Sequence, residues 1–193
     1  MNNQIFVSHS KYDKDMIASF DRVFARTGVR SICMEFEQMN SPEWKEIKDA
    51  VYQSLATFVL LGPNINRNIY TQNWVAFEVG LACATNKKVW VFQQNNSSVT
   101  FPIPYATDYM LYDNLEKKEA FDYVRKIIEG IAEEERYFSP VDKKRKQAPT
   151  GTAIQCPKCK GLFNFHCIDY SLSTIIKLTK PIPSNCPLCC QQI

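Results

Sequence analysis

The chain has 193 residues, 45% hydrophobic and 22% charged, a composition that excludes wholesale disorder and collagen-like repeats. Its apolar runs reach about five residues against the roughly twenty of a bilayer span, and its first residues, MNNQIFVSHSKYDKD, lack the basic and apolar regions of a secretory signal, so a cytoplasmic protein with no membrane partner is expected. The net charge of +3 is uneven: residues 1–137 carry 15 basic and 18 acidic side chains and residues 138–193 carry 8 and 2, which suggests two parts.

Residues 4–8, QIFVS, read as a short buried strand. Residues 13–27 then place Met16, Ile17, Phe20, Val23 and Phe24 at helical spacing, and Gly28 can stop that helix. Residues 29–34 form a second strand, followed by the polar loop EFEQMNSPE. Ser41 and Pro42 read as the N-cap and first residue of a helix with Trp44, Ile47, Val51 and Leu55 on one face. ATFVLL, residues 56–61, is a third strand closed by Gly62-Pro63, and residues 64–71 are a polar loop. A helix over 73–86 leads to a fourth strand over 88–93, and 108–112 is the fifth. The last helix, 115–137, turns Phe121, Val124, Ile127, Ile128 and Ile131 inward. Strands alternating with helices predict an α/β domain over 1–137, a five-stranded parallel sheet with helices on both faces. Neither GxGxxG nor GxxxxGK[ST] is present, so the usual dinucleotide and P-loop phosphate motifs are absent.

Residues 138–152, with two prolines and the basic run Lys143 to Lys146, read as a linker. Six of the eight cysteines follow residue 155. CPKC and CPLC place Cys156, Cys159, Cys186 and Cys189 as two pairs, each with two residues between its thiols. That spacing lets each turn offer two thiolates to one tetrahedral ion, predicting a structural four-cysteine Zn²⁺ site with Zn–S near ~2.3 Å. Residues 153–193 are too few to fold on an apolar core alone, so the metal is expected to stabilise them. His166 and Cys167 lie in GLFNFHCIDY, which reads better as a strand, and Cys190 adjoins Cys189. Whether any of the three replaces one of the four ligands stays open. The segment resembles a zinc ribbon, a family of small β-rich modules used for protein, nucleic-acid or self contact, so the ribbon is expected to meet a protein or nucleic-acid partner.

In a parallel sheet ligands sit beyond the carboxyl ends of the strands, where the strand order reverses. Ser8, His9 and Ser10 follow the first strand, and the loop after the third feeds the helix bearing Trp74 and Glu78. These two are four apart and share a helix face. A carboxylate among Val75, Ala76, Phe77, Val79 and Gly80 is costly unless it is exposed, faces a cleft or is paired.

FVSHSKYDKDMIASF, then a strand, a polar loop and ATFVLLG, resembles the start of a TIR (Toll/interleukin-1 receptor and resistance) domain. NWVAFEVGLA is similar to the Trp-x-x-x-Glu signature of that family's enzymatic, NAD⁺-consuming branch. The resemblance covers about 135 residues and implies a flavodoxin-like five-stranded sheet. It also implies an NAD⁺ glycohydrolase or ADP-ribosyl cyclase of a prokaryotic, antiviral-defence type. Glu78 would be the catalytic carboxylate, and Ser8, His9, Ser10, Phe36, Trp44 and Trp74 would contact substrate. It further implies self-association through the TIR surfaces, with the 35–43 loop completing a neighbour's site and the monomer latent. The sequence departs from the family after the first strand, where His9 and Ser10 replace the usual aromatic or arginine.

One carboxylate suffices for that chemistry. The leaving nicotinamide is a cationic pyridinium that departs neutral, so the second, acidic carboxyl of ordinary glycosidases is unnecessary. What remains is to stabilise an oxocarbenium-like ribosyl cation. Two other readings are compatible with the sequence: a non-enzymatic TIR scaffold that only self-associates, and a nucleoside deoxyribosyltransferase-like enzyme that exchanges bases.

Overall fold

Every residue of 56–61 is buried, as a strand covered on both faces must be. The computed structural model describes residues 3–34, 44–95, 101–136, 147–168 and 183–193. The 35–43 loop, with Phe36 and the Ser41-Pro42 helix start, and the Lys143–Lys146 run lie outside the described residues. In chain order the elements are β1 (Gln4–His9), α1 (Lys14–Phe24), β2 (Arg30–Ile32), α2 (Trp44–Gln53) and β3 (Ala56–Leu61). A single 3-10 turn (Ile65–Arg67) precedes α3 (Ile69–Ala84), β4 (Lys88–Gln94), β5 (Asp108–Tyr112), α4 (Lys118–Arg136), β6 (Thr152–Gln155) and β7 (Leu162–Ile168).

The sheet runs β2-β1-β3-β4-β5-β7-β6, parallel except for β6 on β7. Because β1 pairs with both β2 and β3, the strand order reverses there and opens a crevice at their carboxyl ends. Alternate residues serve opposite layers. Phe58, Leu60 and Phe92 pack with Phe20 of α1 and Val124 and Ile128 of α4, and Val59, Leu61 and Val91 pack with Ile47 of α2 and Val75 and Val79 of α3. Phe92 anchors the first layer, with Phe58 at 4.8 Å and Phe20 at 5.0 Å between ring centroids. Each such ring contributes about 1.5–3 kcal/mol by burial. No helix among the described residues is long and apolar enough to cross a membrane.

Two helices begin elsewhere than their apolar spacing predicts. α3 starts at Ile69 because the Asn68 side chain accepts the Tyr70 N–H at 2.9 Å, an N-cap inside what reads as loop. α4 starts at Lys118 because Asn114 accepts the Glu116 N–H at 2.8 Å, a local turn that delays the helix.

Among the described residues the sheet has seven strands, not five. β7 lies parallel on β5, from Asp108↔Asn164 to Tyr112↔Ile168, and β6 closes against it. An uncovered β5 would present a row of unpaired backbone groups, which β7 satisfies. Its side chains join both layers. Phe163 and Phe165 meet the Tyr109 ring at 6.1 and 5.7 Å, while His166 faces the other way, 4.7 Å from the Trp90 ring.

His166 is buried in a polar chain. Its Nε2 lies 3.0 Å from Asp108 Oδ1 and its Nδ1 2.8 Å from the Tyr123 hydroxyl. A neutral imidazole satisfies both, Nε2–H donating to Asp108 and the tyrosine donating to Nδ1. The chain ties β7 to β5 and α4. Asp108→Ala, which leaves the Nε2 of His166 without that partner under cover, is expected to cost about 1–3 kcal/mol, and Tyr123→Phe, at a half-buried group, about 0.5–1.5 kcal/mol. Urea unfolding of the two variants checks that order.

Candidate functional site

A cleft of about 330 Å³ opens where the strand order reverses. Val7, His9, Lys11 and Tyr12 line it from β1 and the following turn, Met34 from the stretch after β2, and Asn68, Tyr70, Thr71, Asn73, Trp74 and Glu78 from α3 and its cap. Two turns are locked together beside Tyr12 of its lining. Asp13 Oδ1 accepts from the backbone N–H of Asn64 at 3.0 Å and from its side-chain amide at 2.7 Å, and that amide also donates to the Tyr12 carbonyl at 3.1 Å. Gly62 permits this approach, since a Cβ there would sit 2.2 Å from Asp13 Cγ.

Glu78 is the buried acid of this cleft, 2% exposed, on the α3 face that meets β1. Desolvation pushes its carboxyl up to about 8, against smaller opposing effects of hydrogen bonds from the Ser8 and Trp74 side chains. The Ser8 hydroxyl donates to Glu78 Oε2. At neutral pH the carboxyl is therefore mainly neutral. A cation brought alongside would favour its ionised form.

The residues singled out from sequence are distributed as follows. His9, Trp74 and Glu78 line the cleft together. Ser8 is 1% exposed and does not line it. Ser10 is also buried outside the lining, and its carbonyl and hydroxyl take the Asp13 and Tyr12 N–H groups at 3.0 and 3.4 Å. Trp44 is 64% exposed on α2 beside Lys48 and does not line the cleft. Phe36 is outside the described residues. Lys11, Tyr12, Met34, Tyr70 and Asn73 line the cleft without having been singled out. Lys11 and Tyr12 could have been found from their place just beyond the first strand. Tyr70 and Asn73 depend on where α3 begins.

The second constellation is the cysteine cluster. The Sγ atoms of Cys156, Cys159, Cys186 and Cys189 all lie within 4.8 Å of one another, so these four could hold a metal ion. Cys156–Cys189 and Cys159–Cys186 are each 3.8 Å apart. A tetrahedron with ~2.3 Å metal–sulfur bonds has an edge of about 3.8 Å, whereas a disulfide needs about 2.05 Å. The two CPxC turns are built alike. Lys160 N–H donates to the Cys156 carbonyl at 3.0 Å and Cys190 N–H to the Cys186 carbonyl at 2.8 Å, both residues at positive φ, 62° and 58°. Cys190 thus occupies the turn position that Lys160 holds in the first knuckle. The knuckles touch at Gly161, where a Cβ would meet Leu188 Cδ1 at 2.3 Å. The Leu188 N–H points at Cys186 Sγ, 3.4 Å away, and the Cys159 and then Lys158 backbone N–H groups pull the Cys156 thiol down to about 6. Burial pushes Cys186 up to about 12. His166 is held by Asp108 and Tyr123, and Cys167 is half-buried outside the four.

No family model and no curated protein matches the chain. Among solved structures it is similar to the TIR domains of the activated Roq1 resistosome directly recognising the pathogen effector XopQ, at 12% identity and TM-score 0.38, over 49% of this chain and 58% of that one. It is similar also to a diflavin flavoprotein A3 from Nostoc sp., at 13% identity and TM-score 0.37, over 48% of this chain and 60% of that one. The chain thus spans under two thirds of either structure, at scores too low to bear on function.

Proposed function

We propose that the protein is an NAD⁺ nucleosidase with Glu78 as its catalytic carboxylate and a structural Zn²⁺ on Cys156, Cys159, Cys186 and Cys189. The observation that carries the reading is a buried acid set in an aromatic-rimmed cleft at the reversal of a parallel sheet. The cleft's size suits a nicotinamide riboside unit, the rings of Trp74 and Tyr70 offer it stacking faces, and Lys11 is a cation for a diphosphate.

In the reaction the C1′–N bond breaks and its electron pair goes to the pyridinium nitrogen, neutralising it. Water then adds to C1′ and loses a proton, so NAD⁺ and water give nicotinamide, ADP-ribose and H⁺. Cyclisation would replace that water with another nucleophile of the product. Glu78 stabilises the ribosyl cation electrostatically and orients its hydroxyls, in a site drier than water. The pyridinium itself favours ionisation of Glu78 on binding. Zn²⁺ would take no part in the chemistry; on its four thiolates it would fix the two knuckles against the sheet.

The reading extends to a cytoplasmic TIR-type protein of antiviral defence. It would self-associate through the 35–43 loop, stay latent as a monomer, and use its C-terminal module as a sensor or assembly handle. The competing scaffold reading draws on the exposed rings of Trp44, Tyr52 and Tyr70. It predicts self-association without turnover. The test is to incubate concentrated full-length protein with NAD⁺ and resolve the products chromatographically. Nicotinamide appearing with ADP-ribose or a cyclic isomer is the expected result; assembled protein that leaves NAD⁺ intact refutes the enzyme.

A further inference from the structure

The hydroxyl of Ser8 is spent inside the protein. Ser8 sits on β1, is 1% exposed, donates to Glu78 Oε2 and does not line the cleft, whereas Glu78 does. The pair spans the interface between β1 and α3, so one carboxyl oxygen is fixed from behind while the group still borders the cavity. His9, one position along the strand, borders the cleft itself.

We infer that Ser8 is a positioning residue for Glu78 and not a substrate contact: it fixes the carboxyl's orientation toward the cleft. The inference rests on the proposed role of Glu78, but it concerns the Ser8–Glu78 pair and can be read without any substrate. A hydroxyl donating to a carboxylate stabilises the charged form, opposing the desolvation that α3 and β1 impose on this acid. Without it the carboxyl would titrate at higher pH and rotate more freely. Among the described residues the other titratable groups bordering the cleft are His9, Lys11 and Tyr12 from β1 and its turn and Tyr70 from α3; Met34 brings no charge. All are unchanged by substitution at Ser8, so a change in Glu78 titration isolates the one hydrogen bond.

The experiment compares wild type, Ser8→Ala and Ser8→Cys in the full chain, by carbon NMR of ¹³C-carboxyl glutamate, with Glu78→Gln assigning the signal. Thermal melts establish that each variant is folded. Ser8→Ala is expected to raise the Glu78 titration midpoint by about one pH unit or more, and Ser8→Cys, a similar-sized but weaker donor, to fall between. With NAD⁺, Ser8→Ala is expected to lower kcat at neutral pH with little change in KM and to recover toward alkaline pH. An unmoved midpoint in a folded variant overturns the inference, as does a raised KM with an unaltered pH profile. If the midpoint moves while the wild type leaves NAD⁺ intact, the positioning role stands and the nucleosidase reading fails.

Discussion

Glu78→Gln is expected to lower nicotinamide release on the order of 10²–10³-fold, because it removes the carboxyl group that ionises beside the pyridinium while preserving its shape and most of its hydrogen bonding. The loss should fall on kcat, since the charge matters most as the ribosyl cation develops. Wild-type kcat/KM should rise about tenfold per pH unit below about 8 and level off above it, because the carboxylate is the active form and desolvation holds its midpoint there. Stability should run the other way. A carboxyl raised from 4.5 to about 8 on folding favours the folded state fully below 4.5, and that contribution is lost as pH rises through about 8. Glu78→Gln removes this dependence, so the variant should be the more stable protein at pH 9 and the less active one at pH 7 and above. Steady-state assays beside pH-resolved melts test both. A variant with wild-type turnover removes Glu78 from the mechanism.

Stripping the metal should have the largest structural effect. Four thiols spaced for a tetrahedral ion would hold the two knuckles together through it, and structural zinc in small modules is worth on the order of 10–16 kcal/mol. Cys156 and Cys186 lie in the same apolar layer as Val75, Val79 and Tyr109, and the Ile103 N–H donates to the Pro187 carbonyl at 2.9 Å. Release of the knuckles should therefore loosen β6 and β7 and bare the edge of β5. A thiol-competing chelator is expected to abolish amide-exchange protection over 152–168 and lower the melting temperature by more than about 10 °C, with Cys159→Ser doing the same and metal analysis giving one ion per chain. Unchanged protection in demonstrably metal-free protein would remove the metal from the fold.

Much of this architecture is legible in one dimension. QIFVS, ATFVLL and KVWVFQ read as strands because a sheet covered on both faces needs uninterrupted apolar runs. Helices α1, α2 and α4 declare themselves by their 3.6-residue spacing, and the paired cysteines by the two-residue gap that lets two thiols converge. Helix starts are less legible at Asn68 and Asn114, where a single side-chain hydrogen bond sets the boundary and leaves no periodic trace.

What only the tertiary structure decided is pairing at a distance. β7 could be read as a strand of a separate module, but it pairs with β5, and its His166 meets Asp108 and Tyr123, residues 58 and 43 positions away. Likewise Ser8, His9 and Ser10 are alike in sequence, each a polar residue at the end of a strand. The packing of α3 sends His9 to the cleft and Ser8 onto Glu78, 70 positions along the chain. Local patterns record which face a residue prefers, because that is a matter of its own polarity and period. Which group it meets there is set by how whole elements pack, and that is written in no short stretch of the chain.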